Sequence, residues 1–486
     1  MTDHSRFLTV LNFCSILILL YSVSLLPPII FTMFHQYQEI SAFFITFLVS
    51  VCVGCIGTYS TRKSKKNLQP RDGFLVVVLF WLIFSAFSAM PFVLADHPNL
   101  TFVDALFEGI SGVTTTGASI LTEIDNQPKV ILYFRAQLSF IGGLGIIVLA
   151  VAIFPLLGIG GAKIYQSETP SAMKEERLTP RLADTAKNLW LIYAGLAVVC
   201  AVSYRVAGMN WFDAICHGLT TVSLGGFSTH TASLGFFNSP AIEIVAGVFS
   251  ILAAINFSLF FIAIGRRSIL PILNDTEFRF FIGVVTIVIA VTCTQLYYWG
   301  NMPLAASLVH GFFQTASVIT SNGFSAGDYP AWPTPTVLLL LLSSFFGGCV
   351  GSTCGGIKAM RFLVLFRQSN REIKQLIHPR GFFTLKVDNK PVSDRFIQAV
   401  WGFFFLYLIS TIFFVFALVL TGVDIITAFG TVAACINNMA TGWGETAVTF
   451  GGLNDTAKWL MCVAMLFGRL EIFPILILFS RTFWRF

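Results

Sequence analysis

Charge is what this sequence has least of. Of its 486 residues only 11% are Asp, Glu, Lys or Arg and 56% are hydrophobic, whereas soluble domains carry about 25% charged residues. No stretch between the apolar runs is long and polar enough for a soluble domain of any size, so the chain reads as an integral membrane protein. Zinc-type cysteine spacing is missing too. Most of the ten cysteines lie inside apolar segments, where a thiol acts as a small hydrophobe. Cys52 and Cys55 form a CxxC, but within "FLVSVCVGCIG", which reads as membrane helix rather than a redox pair. No convergent set of His, Asp, Glu or Cys suggests an enzyme: His217 and His310 stand singly and read as packing or capping residues. The N-terminal run "FLTVLNFCSILILLYSVSLLPPIIF" is longer than a signal-peptide core and lacks a small-residue cleavage site, so it reads as a retained span.

What is present is a succession of apolar runs of about 18 residues or more, enough to cross roughly 30 Å of hydrocarbon. Ten spanning helices are expected, at about 8–33, 40–59, 74–95, 130–157, 186–207, 240–264, 279–299, 336–366, 396–420 and 456–482. The net charge of +6 is unevenly distributed over the connections. One alternating set holds Arg62, Lys63, Lys65, Lys66 and Arg71, then Lys163, Lys174, Arg177, Arg181 and Lys187, then Arg266, Arg267 and Arg279, and finally eight basic residues from Arg361 to Arg395. The other set has only Lys129, Arg205 and Lys458 at its edges. The positive-inside rule makes the first set, and both termini, cytoplasmic. The basic excess is therefore an orientation signal and not a nucleic-acid footprint, and the 361–395 stretch is large enough to dock a cytosolic partner.

Four connections on the other side are long, rich in Gly, Ser and Thr, and hold one short helical stretch each. "FVDALFEGISGVTTTGA" (102–118) and "WFDAICHGLTTVSLGGF" (211–227) coincide at Asp, Ala, Gly, Val and the final Gly at an offset of 109. "VHGFFQTASVITSNGF" (309–324) and "ITAFGTVAACINNMATGW" (426–443) are looser versions, and all four end near a glycine: Gly117, Gly226, Gly323 and Gly442. Internal repeats decide architecture. Here they imply an all-α membrane protein with an N-terminal helix pair (1–73) and four units of span, pore helix, filter loop and span, at 74–160, 161–268, 269–380 and 381–486, around one ion pore.

Non-helical backbone at membrane depth survives only where protein buries it or where it lines a watery cavity. Four such loops around one axis suit a cation filter, in which backbone carbonyls replace the hydration shell and glycine's access to φ > 0 lets successive carbonyls face one way. Each half-helix C-terminus, with about half a negative elementary charge, would favour a cation at the centre. Thr101 followed by Asp104 reads as a capping pair, and Asp104 and Asp213 accordingly as helix-capping residues. Glu123, Asp125, Asp328, Glu445 and Asp455 outnumber basic residues at the outer mouth; a cation-concentrating rim and plain solvated carboxylates fit equally.

With "DALFEGISGVTTTGA", "DAICHGLTTVSLGGFSTH", "FIGGLGIIVLAVAIFPLLGIGGAK", "LTPRLADTAKNLW" and "SSFFGGCVGSTCGGIKAMRF" in view, the chain resembles, over nearly its whole length, the membrane subunit of Trk-type potassium uptake systems in the Trk/Ktr/HKT superfamily. The resemblance implies a single-chain pseudo-fourfold K⁺ pore in the bacterial inner membrane. It also implies a homodimer and a cytosolic ring of RCK-type nucleotide-binding subunits, with no cofactor bound by this chain. Carried over by position, the K⁺ filter is expected at Thr114, Thr115, Thr116 and Gly117; Ser223, Leu224, Gly225 and Gly226; Thr320, Ser321, Asn322 and Gly323; and Met439, Ala440, Thr441 and Gly442. Relatives that favour Na⁺ have serine for the first filter glycine, and glycine in all four places favours K⁺.

Two features make physical sense before that resemblance is applied. "FFGGCVGSTCGGIK" holds Gly347, Gly348, Gly351, Gly355 and Gly356, each costing roughly 1 kcal/mol against alanine in a helix. An intramembrane loop over 347–356 and close small-residue helix packing are its two readings, and the resemblance adds a gating role to the first. A P-loop is excluded because Lys358 closes no GK[ST] turn after a strand. Arg469, deep in the last apolar run, costs at least about 2.5–3.5 kcal/mol unless it faces a cavity or a partner. It reads as a positive barrier that limits flux and helps set the gate, with Glu471 two residues on and off its helical face. Arg135 reads as an interfacial anchor. The rival mechanism is an ion-coupled K⁺ symporter with alternating access, against which stand the scarcity of buried carboxylates and the lack of inverted halves.

Overall fold

The computed structural model describes residues 2–34, 39–62, 70–148, 182–327, 329–388 and 390–484. Apolar runs become helices because in hydrocarbon each peptide group must find its partner within its own segment. Six helices are long and apolar enough to cross a membrane unaided: Leu8–Phe34, Ile40–Thr61, Asp72–Leu94, Ala186–Val206, Thr276–Tyr298 and Asp394–Val419. Two further apolar stretches are bent helix pairs, which bring the count to eight if each is one span. Pro240–Ala253 turns by 89° into Phe257–Arg266, and Asp455–Arg469 turns by 113° into Phe473–Phe479.

Of the ten expected spanning helices, the described residues thus show six continuous ones and two apolar bent pairs. The runs read as 240–264 and 456–482 are broken, and that read as 336–366 is a helix at Thr334–Ser343, irregular chain, and a second helix at Ala359–Ile377. The run read as 130–157 is helical over Lys129–Val148. Its remainder lies outside the described residues, as do the predicted repeat boundary at 160/161, Lys63, Lys65, Lys66, Lys163, Lys174, Arg177, Arg181 and Asp328.

Each break has a local cause. After Ala253 the chain turns so that the Ala254 carbonyl accepts from the Cys349 amide (2.8 Å) and the Phe257 amide donates to the Gly351 carbonyl (3.1 Å). Asn256 caps the following helix by accepting from the Ser258 amide at 2.9 Å. At the last break Glu471 and Ile472 are left-handed, with φ of 57° and 62°, and the Glu471 carboxylate pairs with Arg361. The first two breaks thus meet directly, and backbone groups freed by one are satisfied by the other.

The N-terminal pair packs closely through glycine: a Cβ on Gly57 would stand 2.1 Å from Ser15 Oγ. Cys52 and Cys55 are exposed, unpaired thiols on its second helix. The basic stretch after the interrupted span continues the helix to Ile377 and then forms a two-residue hairpin, Lys386–Val387 against Lys390–Pro391, which the all-α expectation had not included.

Candidate functional site

Four short helices penetrate between the spans: Phe102–Val113, Trp211–Ser223, Leu304–Ile319 and Ile425–Asn437. Side chains start three of them. Thr101 Oγ1 accepts from the Asp104 amide (3.3 Å) and Asn210 Oδ1 from the Asp213 amide (2.8 Å), while Asp424 accepts from the amides of Ile426 and Thr427 at 2.9 Å each. Thr101 and Asn210 are the N-caps, and the aspartates three residues on complete capping pairs with them: Asp104 accepts from Thr101 Oγ1 (2.9 Å) and Asp213 from Asn210 Nδ2 (2.6 Å). Asp104 also accepts from Lys458 Nζ (2.6 Å), tying the first pore helix to the last span.

All four helices end the same way. The amides of Thr116, Gly225, Asn322 and Met439 donate five residues back, to the carbonyls of Ser111, Thr220, Ser317 and Ala434, at 2.8–2.9 Å. The residues just before them, Thr115, Leu224, Ser321 and Asn438, have φ of 54°, 55°, 58° and 53°. This is a Schellman-type helix end made with non-glycine residues, each held there against a cost of about 1–2 kcal/mol. Two residues further on, Gly117, Gly226 and Gly323 return to positive φ (74°, 63°, 80°). Alternating left-handed residues turn successive carbonyls to one side of the strand.

That shared register corrects one expectation. The residue equivalent to Gly117, Gly226 and Gly323 is Ala440, not Gly442, and the fourth wall runs Asn437, Asn438, Met439, Ala440. Gly442 lies beyond it, its amide donating to the Thr446 carbonyl (3.3 Å) and its carbonyl accepting from Tyr329 (2.9 Å). Glycine is thus present in three places, not four. Spacing could have found this, since Gly117, Gly226 and Ala440 each lie 16 residues after their capping residues Thr101, Asn210 and Asp424.

The four strands touch in cyclic order. A Cβ on Gly117 would meet the Gly225 carbonyl oxygen at 1.9 Å, one on Gly226 the Asn322 carbonyl oxygen at 2.0 Å, and one on Gly323 the Ala440 nitrogen at 2.3 Å. Asn438 Nδ2 closes the ring by donating to Thr116 Oγ1 at 3.0 Å. The first, second and third walls are buried from Thr115 to Gly117, Leu224 to Gly226 and Ser321 to Gly323, and so are Asn438 and Met439 of the fourth. Yet among the described residues nothing donates a hydrogen bond to the carbonyl oxygens of these residues or of Ala440. Buried backbone carbonyls are almost always paired. A ring of unpaired ones, at the negative ends of four helices, is a site for a cation.

Behind the first wall, Arg135 is 1% exposed, which corrects its reading as an interfacial anchor. Its guanidinium pairs with Glu108 (3.1 Å), donates to Ser119 Oγ (2.8 Å) and lies over the Phe227 ring. Glu108 in turn accepts from Ser119 Oγ and the Ile120 amide. His217 is fully buried, between the Asp213 carbonyl (2.8 Å) and Ser228 Oγ (3.0 Å), in the packing role expected for it.

Directly against the inner ends of the filter strands lies the glycine-rich segment, non-helical from Ser344 to Lys358. Thr353 Oγ1 donates to the Val222 carbonyl (3.1 Å), Cys354 Sγ to the Thr320 carbonyl (2.9 Å), and the Gly355 amide to Ser321 Oγ (2.7 Å). A Cβ on Gly355 would stand 2.0 Å from the Asn437 carbonyl oxygen, so only glycine fits. Of the two readings left open by the sequence, the irregular loop is the one found. Three charged side chains hold it from below: Lys358 donates to the Cys354 carbonyl, Glu277 accepts from the Val350 amide (2.7 Å) and the Met360 amide (3.2 Å), and Arg469 donates to the Thr353 carbonyl (3.0 Å). Arg469 also donates to the Gly142 carbonyl at 3.3 Å. It is 3% exposed, and no carboxylate pairs with it among the described residues.

Broken spans, a ring of unpaired buried carbonyls and a packed loop under it define an integral membrane transport protein. A family profile described as "Cation transport protein" (TrkH) matches residues 39–485. The potassium uptake protein TrkG of Escherichia coli K12 is 54% identical over 484 residues, covering 100% of this chain and 99% of that one. The potassium uptake protein TrkH of Salmonella typhimurium is 43% identical, with 99% and 100% covered. The crystal structure of the potassium transporter TrkH from Vibrio parahaemolyticus superposes with a TM-score of 0.92 at 42% identity, again over 99% and 100% of the two chains. The chain belongs to the TrkH family of cation transport proteins; it is a transporter and not an enzyme.

Proposed function

We propose that this chain takes up potassium across the bacterial cytoplasmic membrane through the four-walled ring, as a K⁺ filter, with the 344–358 loop as its gate. The ring of buried filter carbonyls without a hydrogen-bond donor carries this reading. They can replace the water of a dehydrated monovalent cation, and no other group among the described residues competes for them. The relatives named as potassium uptake proteins supply the choice of K⁺.

In this reading Thr114 to Gly117, Ser223 to Gly226, Thr320 to Gly323 and Asn437 to Met439 line the ion path in successive levels, with Ala440 at the outer end of the fourth wall. Gly347, Gly348, Gly351, Gly355 and Gly356 let the loop fold beneath them, and Arg469 sets its position. The loop meets the second, third and fourth walls directly, so K⁺ passes only when it withdraws. Both termini and the basic 361–395 stretch face the cytosol, where a ring of nucleotide-binding subunits docks and pulls on the helix leaving the loop. Two copies associate in the bilayer, each with its own pore, ten membrane crossings and four repeats.

The filter assignment is tested by Gly117→Ser in proteoliposomes loaded for ⁸⁶Rb⁺ and ²²Na⁺ uptake. A side chain at Gly117 meets the neighbouring wall's carbonyl, so the Na⁺/Rb⁺ flux ratio should rise. An unchanged ratio would remove Gly117 from the ion path.

A further inference from the structure

The alanine that replaces the fourth glycine does not sit behind the filter. Cβ atoms added to Gly117, Gly226 and Gly323 would stand 2.9, 2.5 and 2.7 Å from the Ala440 methyl. All three glycines thus point at the same methyl. In the cyclic order of the walls, Gly226 belongs to the wall opposite Ala440, so a methyl that close to it reaches across the ring rather than lying in the seam between neighbours. Ala440 is also partly exposed, whereas Met439 before it and the three glycines at its level are buried. The methyl therefore lies at the outer end of the filter, facing the mouth.

Its backbone differs as well. The three glycines at this level have left-handed dihedrals, and Ala440 does not. A strand without the left-handed residue turns its carbonyl differently from its three counterparts. At the outermost level three walls thus carry a left-handed glycine, and the fourth carries a methyl that reaches toward all three.

We propose that Ala440 is a specificity-determining residue of this transporter, its methyl and its lack of the left-handed turn shared by the other three walls withholding the fourth wall from the outermost coordination level. The proposal rests on the filter reading above and deepens it. A dehydrated cation entering from outside meets fewer oxygens and an apolar group at this level. It is held weakly there, and discrimination between K⁺ and Na⁺ falls to the inner levels, where Thr115, Leu224, Ser321 and Asn438 repeat the same geometry in all four walls. The larger the group at this position, the slower the entry.

Full-length protein in proteoliposomes, with Ala440→Gly, Ala440→Val and Gly323→Ala compared with the parent, separates this proposal from the reading beneath it. For Ala440→Gly the external Rb⁺ concentration giving half-maximal ⁸⁶Rb⁺ uptake should fall several-fold and the Rb⁺/Na⁺ flux ratio should rise; Ala440→Val should cut ⁸⁶Rb⁺ uptake several-fold. A residue that only fills space would change melting temperature without moving the ion ratio. If Gly323→Ala alters the ratio while both Ala440 variants leave ratio and half-saturation unchanged, the filter stands and this proposal falls. If none of the three moves the ratio, the filter reading itself fails.

Discussion

Arg469 is the residue whose environment most constrains its role. A guanidinium has five N–H donors, and this one spends two on the carbonyls of Thr353 and Gly142, leaving Nε without a partner. It lies near Trp81, 5.7 Å from the ring centroid, with its charge uncompensated by any described carboxylate. Such a charge acts on whatever passes beside it. At an effective dielectric near 20, a unit charge ~10 Å from a cation raises its energy by ~1.7 kcal/mol, a rate factor of roughly fifteen- to twentyfold. Arg469→Ala should therefore raise ⁸⁶Rb⁺ uptake by about that factor, through loss of the barrier and release of the Thr353 carbonyl. Unaltered uptake by a folded variant would deny it both parts. This residue was legible in the sequence because a lone arginine in an apolar run has few explanations. Arg135 was not, since its partner Glu108 is 27 positions away on a different element and one-dimensional position suggested only the membrane interface.

Among elements, the helix-to-strand turn repeated four times explains most of what could and could not be read. The first two helices announced themselves by their capping residues, and all four loops by Gly, Ser and Thr. The register of the fourth did not, because aligning on the most visible glycine, Gly442, skipped the hydrogen-bond pattern that fixes Met439 against Ala434. Breaks in the spans were hidden for a related reason. Composition reports that 240–264 and 456–482 are apolar enough to cross, but the loop that inserts at Ala254 and the pairing of Glu471 with Arg361 are long-range facts.

A second contact between elements makes a testable latch at the outer mouth. His230 bridges Asp125 of the first filter loop, donating from Nδ1 (2.6 Å), and Asp213 of the second pore helix, donating from Nε2 (3.3 Å), and is stacked on Phe236. Burial alone would lower its pKa, but the hydrogen bonds and charges of Asp213 and Asp125 outweigh it and raise the value above 6.5. A raised histidine contributes its stability in full below the unfolded value of 6.5 and loses it as pH climbs through the folded one. The melting-temperature gap between the parent and His230→Gln should be largest below pH 6.5 and close at alkaline pH. The contribution is about 1 kcal/mol, kept small because Asp125 is 45% exposed. A gap that widens with rising pH would contradict the latch.

For the whole molecule, the account is one of four unequal walls around one axis. The first three keep glycine where the fourth has Ala440; the 344–358 segment unwinds to lie against the second, third and fourth, and the last apolar run breaks at Glu471 and Ile472. Four short helices with like ends follow from the repeat pattern in the sequence, whereas the asymmetry among them, the Ala440 methyl and the contacts among the broken helices, is not written in that pattern. The central claim is that ions move through this ring as through a pore, without obligatory coupling to protons. It is tested by ⁸⁶Rb⁺ uptake into proteoliposomes under an outward K⁺ gradient, with and without an imposed pH gradient. Uptake that follows the K⁺ gradient alone is the predicted result, and uptake that stops whenever the proton gradient is collapsed would contradict it in favour of symport.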